Sequence, residues 1–210
     1  MADLGRIHAL RRTGSEPFTD GPNELPLDLL CFWQWSGSDL VLNTARGVVA
    51  EFLVASALGI NVHTTVRDAW APYDLQTPSG TKVEVKSAAY IQSWHQTMHS
   101  VVSFHTPKTQ FWNADTNQFE GVAKRHSDVY VFALLAHREK ATTSPLDVSQ
   151  WDFYVLPTRV LDERVRSQAS ITLPTLRGLA HPLKYHELEE AVHEAALGAA
   201  ACPKGTFPPK

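Results

Sequence analysis

PYDLQTPSGTKVEVKSAAY, residues 72–90, holds two β-like runs around a turn. Pro78-Ser79-Gly80 is turn chemistry: proline presets φ, and glycine accepts the backbone angles of a tight reversal. On either side the sequence predicts strands, Tyr73–Gln76 and Thr81–Ala88, paired as a hairpin. Side chains alternate between faces along a strand. Val83 and Val85 are therefore expected to face a core, with Glu84 and Lys86 sharing the other face. The hairpin brings Asp74 level with Glu84 or near it. Two carboxylates and an ammonium then meet at one edge.

Upstream, TARGVVAEFLVASALG, residues 44–59, follows Asn43. Val48, Val49, Phe52, Leu53, Ala57 and Leu58 recur at helical spacing. The pattern predicts a helix over about 44–58, with Asn43 or Thr44 as N-cap and Gly59 as C-cap. It is apolar nearly all round, so heavy burial is expected, and Glu51 stands in the middle. A carboxylate there is costly unless it is paired or binds a cation. LDLLCFWQW, from Leu27, reads as a short helix or turn packed on the core. INVHTTV is β-like, and SVVSFHT within 93–107 reads as a strand. Residues 108–127 are polar and turn-rich and read as a long loop.

DVYVFALLAH is a continuous apolar run, expected to be a strand buried on both faces. WDFYVLP reads as a second such strand. VLDERVRSQA suggests a short helix, SITLPTLRGL a brief strand and turn, and KYHELEEAVHEAALGAA a helix. The order helix, hairpin, strands, helix indicates an α/β domain on a central mixed β-sheet flanked by helices. Residues 1–26, with glycines, prolines and Arg6, Arg11 and Arg12, read as a flexible arm. Residues 27–198 form the domain, and 199–210 a tail.

Two hard oxygen ligands beside a lysine suit metal-assisted phosphodiester hydrolysis. Asp74 and Glu84 would hold Mg²⁺ (or Mn²⁺), with the Val85 carbonyl as a further ligand. Lys86 would orient or help activate the attacking water and offset transition-state charge.

Pro72-Tyr73-Asp74 followed by Glu84-Val85-Lys86 resembles the PD-(D/E)xK signature of the restriction endonuclease-like superfamily, with Pro-x-Asp in place of Pro-Asp. The resemblance covers roughly residues 40–160. It implies a restriction endonuclease-like core and a Mg²⁺-dependent nuclease acting on DNA more than RNA, leaving a 5′-phosphate and a 3′-hydroxyl. It implies that Glu51 is a supporting metal ligand or base, and that Ser87 and Gln92 support the site or the substrate. KRHSDVYVF and WDFYVLPT also resemble a bacterial group, a likeness that carries no function. Restriction-like defence and repair both remain open, as does a homodimer, since cutting both strands of a duplex often uses two sites.

Other signals are weaker. Lys124, Arg125 and His126 form a basic cluster that would either grip a phosphate or lie in a solvated loop. Trp94, Phe111 and Trp112 would either stack on bases or pack in the core. His95, His99 and His105, like His186 and His193, read as structural or surface residues rather than metal ligands. The net charge of −3 excludes a general basic coat, so any phosphate-binding surface must be local. The two cysteines, Cys31 and Cys202, form neither a metal spacing nor a disulfide framework. An intracellular, cytoplasmic setting is expected. No apolar run of about 18 residues predicts a membrane span, and the first residues lack the apolar core of a secretory signal. Two rivals stand beside the nuclease: a nucleic-acid-binding or scaffolding module that has lost catalysis on the same fold, and an interaction protein with Glu84 and Lys86 as surface charges.

Overall fold

Val129–Leu135 is buried at every position, as an apolar run between two layers must be. In the computed structural model, which describes residues 4–164 and 169–200, this segment is the eighth of ten strands. The order is β1 (Pro17–Asp20), β2 (Asn23–Asp28), α1 (Leu29–Gly37), α2 (Asn43–Ala57), β3 (Leu75–Gln76), β4 (Lys82–Ala89) and β5 (Ser103–His105). It continues with β6 (Thr109–Asn113), β7 (Gln118–Lys124), β8 (Val129–Leu135), β9 (Trp151–Pro157), α3 (Thr158–Asp162), β10 (Ser170–Thr172), α4 (Leu173–Arg177) and α5 (Leu188–Ala200). The fold is mixed α/β, with a central mixed sheet flanked by helices.

That sheet runs β3-β4-β8-β9. β4 pairs with β8 in parallel, and the two outer pairs are antiparallel. Period-two alternation divides its side chains between two cores. Val83, Val85, Val129, Val131, Ala133 and Leu135 pack with Ala50 and Val54 of α2 and Leu188 and Val192 of α5. Tyr130, Phe132 and Leu134 pack on the other side with Phe104, Leu161, Ile171 and Leu176. Burying such a side chain contributes about 1.5–3 kcal/mol.

Several expectations are corrected. α2 is buried on one face only, at Arg46, Ala50, Val54 and Ala55; Val48 and Phe52 stay exposed. Its N-cap is Leu42, without a side-chain cap, rather than Asn43 or Thr44. Its C-cap is Leu58 rather than Gly59, which follows it at φ +69°. α1 has no buried residue, so it does not pack on the core as expected; Trp35 is 85% exposed. Residues 60–66 form a turn at 62–64 within irregular chain instead of a strand, with the Asn61 carbonyl accepting bonds from Thr64 and Thr65. Residues 108–127 form the β6–β7 hairpin rather than a loop, and Leu173–Arg177 is a helical turn capped by Thr172.

The N-terminal arm is partly built. β1 and β2 make a hairpin, so the expected boundary at residue 26 falls inside β2. Arg6 binds both oxygens of Asp68, and Arg11 donates to the Val62 carbonyl. α5 runs through Ala200. The rest of the expected tail, residues 201–210, lies outside the described residues, as do positions 165–168 of the expected helix after β9. Among the described residues no helix is long and apolar enough to cross a membrane.

Candidate active site

The β3–β4 hairpin turns at Thr77–Gly80, with Gly80 at φ +94° and Thr77 N–H donating to the Thr81 carbonyl. Its register pairs Leu75 with Val83, which sets Asp74 level with Glu84. Asp74 Oδ2 accepts the Val85 N–H at 2.8 Å. The N–H and C=O of a strand residue point to one edge, so the Val85 carbonyl lies on this edge too. Glu84 and Lys86 share the face opposite Val83 and Val85 and form an ion pair at 2.5 Å. Both are largely shielded, with side chains 17% and 29% exposed respectively.

Burial pushes the Asp74 carboxyl up, and the neighbouring Glu84 charge pushes it further, to about 7. The Val85 N–H pulls against this, Glu51 adds to the rise, and Lys86 opposes it. Crowding of this kind marks functional clefts and structural acid clusters alike. Tyr130, level with Glu84 on β8, has its hydroxyl pKa raised by burial and then by the Glu84 charge.

Glu51 reaches the same edge from α2, and its partner is Arg67. The guanidinium holds both carboxylate oxygens, with Nη2 donating to Oε1 at 2.9 Å. The Arg67 pKa is raised by Glu51, against desolvation, and also by the Asp74 charge. Glu51, Arg67, Asp74, Glu84 and Lys86 thus form one run of charges across the sheet edge. Among the described residues no three carboxylate, imidazole or thiol groups are placed to hold an ion together. The donors on offer for a cation are the Asp74–Glu84 pair and the Val85 carbonyl.

Asp74 separates two hollows. One, of about 320 Å³, joins it to Glu84, Trp70, Phe111, Trp112 and His126. The other, of about 350 Å³, joins it to Glu51, Arg67, Phe52 and Val62. The first is walled by β6, so Phe111 and Trp112 stand beside the acids, whereas Trp94 does not line it. His126 is fixed by its contact with the Thr109 carbonyl.

The remaining candidates disperse. Arg125 is buried, donating to the Thr106 carbonyl and to Asp162 at 2.6 Å; this holds the end of β7 to the core rather than presenting a cation for phosphate. Lys124 is exposed on β7. Gln92 is buried and bonds Arg46, Ala89 and Ser100. Ser87 lines a separate hollow with Arg46 and Gln92. His99 contacts the Arg138 carbonyl. Of the expected basic cluster only His126 lines the hollow with Asp74 and Glu84, and Trp70 joins it as a residue that the sequence reading does not single out. Trp70 stands four residues before Asp74, a proximity that was readable, but nothing in the sequence announces that β6 folds back over the hairpin.

A search of curated proteins gives no match. Residues 34–173 match the family model described as bacteriophage T4 endonuclease IV. The matched span is two thirds of the chain and contains α2, the β3–β4 hairpin, β8 and β9, hence Glu51, Asp74, Glu84 and Lys86. With its paired carboxylates inside that span, the chain belongs to a nuclease family, that of bacteriophage T4 endonuclease IV.

Proposed function

We propose that this protein is a divalent-metal-dependent nuclease that hydrolyses phosphodiester bonds of nucleic acid, DNA in the first place, on a restriction endonuclease-like core. The observation that carries this reading is the meeting of Asp74 and Glu84, with Lys86 on the Glu84 face. Family membership supports it, and so does the order helix, acidic hairpin, parallel strand, antiparallel strand.

The donor set suits Mg²⁺ or Mn²⁺: all ligands are hard oxygens, from Asp74, Glu84 and the Val85 carbonyl. Such an ion, when bound, polarises a phosphoryl oxygen and makes a water more acidic. The proton affinity of Asp74 is raised by burial first and then by the repulsion of the clustered Glu84 carboxylate. Lys86 sits where its ammonium can hold the attacking water and meet charge as it develops. Glu51, held by Arg67, is a supporting base or ligand. In the reaction the water gives up a proton to Glu51 or to solvent as its oxygen bonds to phosphorus, the bond from phosphorus to the 3′-oxygen breaks, and solvent supplies the proton that completes the 3′-hydroxyl. Lys124 is the exposed cation for a more distant phosphate.

Cleavage by the purified chain with Mg²⁺ and with excess chelator is the first measurement. Lys86→Ala should keep nucleic-acid affinity within a few-fold, while single-turnover cleavage at saturating enzyme falls by roughly 10²-fold or more. Asp74→Asn should abolish both cleavage and the rise in thermal stability produced by Mg²⁺. Wild-type cleavage in chelator, or a Lys86→Ala protein that cuts bound substrate at the wild-type rate, would overturn the assignment.

A further inference from the structure

The N-terminal end of α2 carries a charge that the described residues do not balance. Arg46 is 4% exposed. Its Nη1 donates to the Val41 carbonyl at 3.1 Å and to Gln92 Oε1 at 3.2 Å, and its Nη2 to Asn43 Oδ1 at 2.9 Å. Its Nε has no acceptor. All three acceptors are neutral. Burial lowers its proton affinity, and no neighbouring acid offsets that effect. Buried charges are ordinarily paired or bind an ion, and an uncompensated one is strongly unfavourable.

Arg46 lines a hollow of about 310 Å³ with Asn43, Ser87, Gln92, Ser100 and Ser103. No acidic side chain lines it. α2 has 15 residues, and its N-cap, Leu42, offers no side-chain acceptor to the first-turn amides. A helix N-terminus favours anions. The buried guanidinium supplies the full positive charge and the serine hydroxyls supply donors. Gln92 is a positioning residue here: its Oε1 holds Arg46, while its Nε2 is fixed by the Ala89 carbonyl and Ser100 Oγ.

We infer that this hollow is a phosphate-binding site, formed by Arg46, the start of α2 and the surrounding hydroxyls. Resting on the nuclease reading, the ligand is a backbone phosphate of the bound strand. Ser87 lies three residues beyond Glu84, roughly 10 Å along β4. That separation suits a phosphate near the scissile one.

Asn43→Asp is the decisive variant. It sets a carboxylate against Arg46 Nη2, giving the guanidinium an internal counter-ion, and an acid in the first turn suits the helix. It should fold with a Tm at or above that of the wild type. Thermal unfolding of the full chain is followed without metal or nucleic acid, in inorganic phosphate against chloride at matched ionic strength. Wild-type Tm should rise by roughly 3–5 °C at phosphate about tenfold above its dissociation constant, and Asn43→Asp should show no rise. No rise in the wild type, or an equal rise in the variant, overturns the site. Nucleic-acid binding in chelator then separates strand phosphate from free phosphate. Loss of about one unit in the slope of log affinity against log salt in Asn43→Asp supports the strand; an unchanged slope overturns that part. The phosphate readout needs no cleavage, so a protein that binds phosphate but cuts nothing refutes the nuclease reading and spares the site.

Discussion

Asp74 carries a conflict that pH can expose. Its folded pKa of about 7 lies well above the ordinary 3.8. Between those values the folded chain binds more protons than the unfolded one, so stability falls as pH rises. The favourable contribution is fully present below about pH 4 and is gone above about pH 7. Urea unfolding in chelator should therefore show this group contributing a loss of more than about 1 kcal/mol between pH 5 and pH 8. Asp74→Asn removes the titrating group and should flatten that difference. An unchanged pH dependence in the variant would place the repulsion elsewhere. The carboxylates and the lysine were legible as residues because the hairpin turn and period-two alternation fix which atoms face together. The pairing of Glu51 with Arg67 was not legible, since Arg67 lies in irregular chain between α2 and β3 whose path no periodicity announces.

Elements with a strong pattern were readable and those without a buried face were not. α2, β4, β8, β9 and α5 appear where spacing and apolar content put them. β6–β7 reads as a polar excursion because all of β7 is exposed and β6 is at most half-buried; such a ribbon lacks the alternation that announces a strand. β1–β2 escaped for the same reason. Yet β6 walls the hollow that holds Asp74 and Glu84, so the missed element frames the site. Trp112 packs edge-on against Phe119 with ring centroids 4.8 Å apart, which holds it on that wall. Stacking of a base on an aromatic ring contributes about 1–3 kcal/mol. Trp112→Ala should weaken nucleic-acid binding by roughly 5- to 150-fold while leaving single-turnover cleavage at saturation near wild type. A fall in the cleavage rate with intact affinity would mean that the wall orients the scissile bond instead.

Across the whole molecule, charge is spent sparingly. The chain is net −3, and several cations are internally engaged: Arg6 by Asp68, Arg67 by Glu51, Arg125 by Asp162 and Lys184 by Asp152. The phosphate contacts proposed above are those of Arg46, Lys86 and Lys124. With two or three contacts, duplex DNA affinity should drop only about 10- to 40-fold between 50 and 200 mM salt, against the roughly 10³- to 10⁵-fold of proteins making six to ten contacts. A steep dependence, measured by titration of binding at several salt concentrations, would point to an unrecognised basic surface.

The parallel pairing of β4 with β8 joins Glu84 to Tyr130 across 46 positions of chain. The β3–β4 ribbon alone has two paired positions, too few to stand in water without a third strand. During synthesis, then, the acids emerge long before the strand that steadies them. On the proposed reading, a ribosome-bound chain lacking β8 has no assembled site, and hydrolysis begins only when the sheet closes.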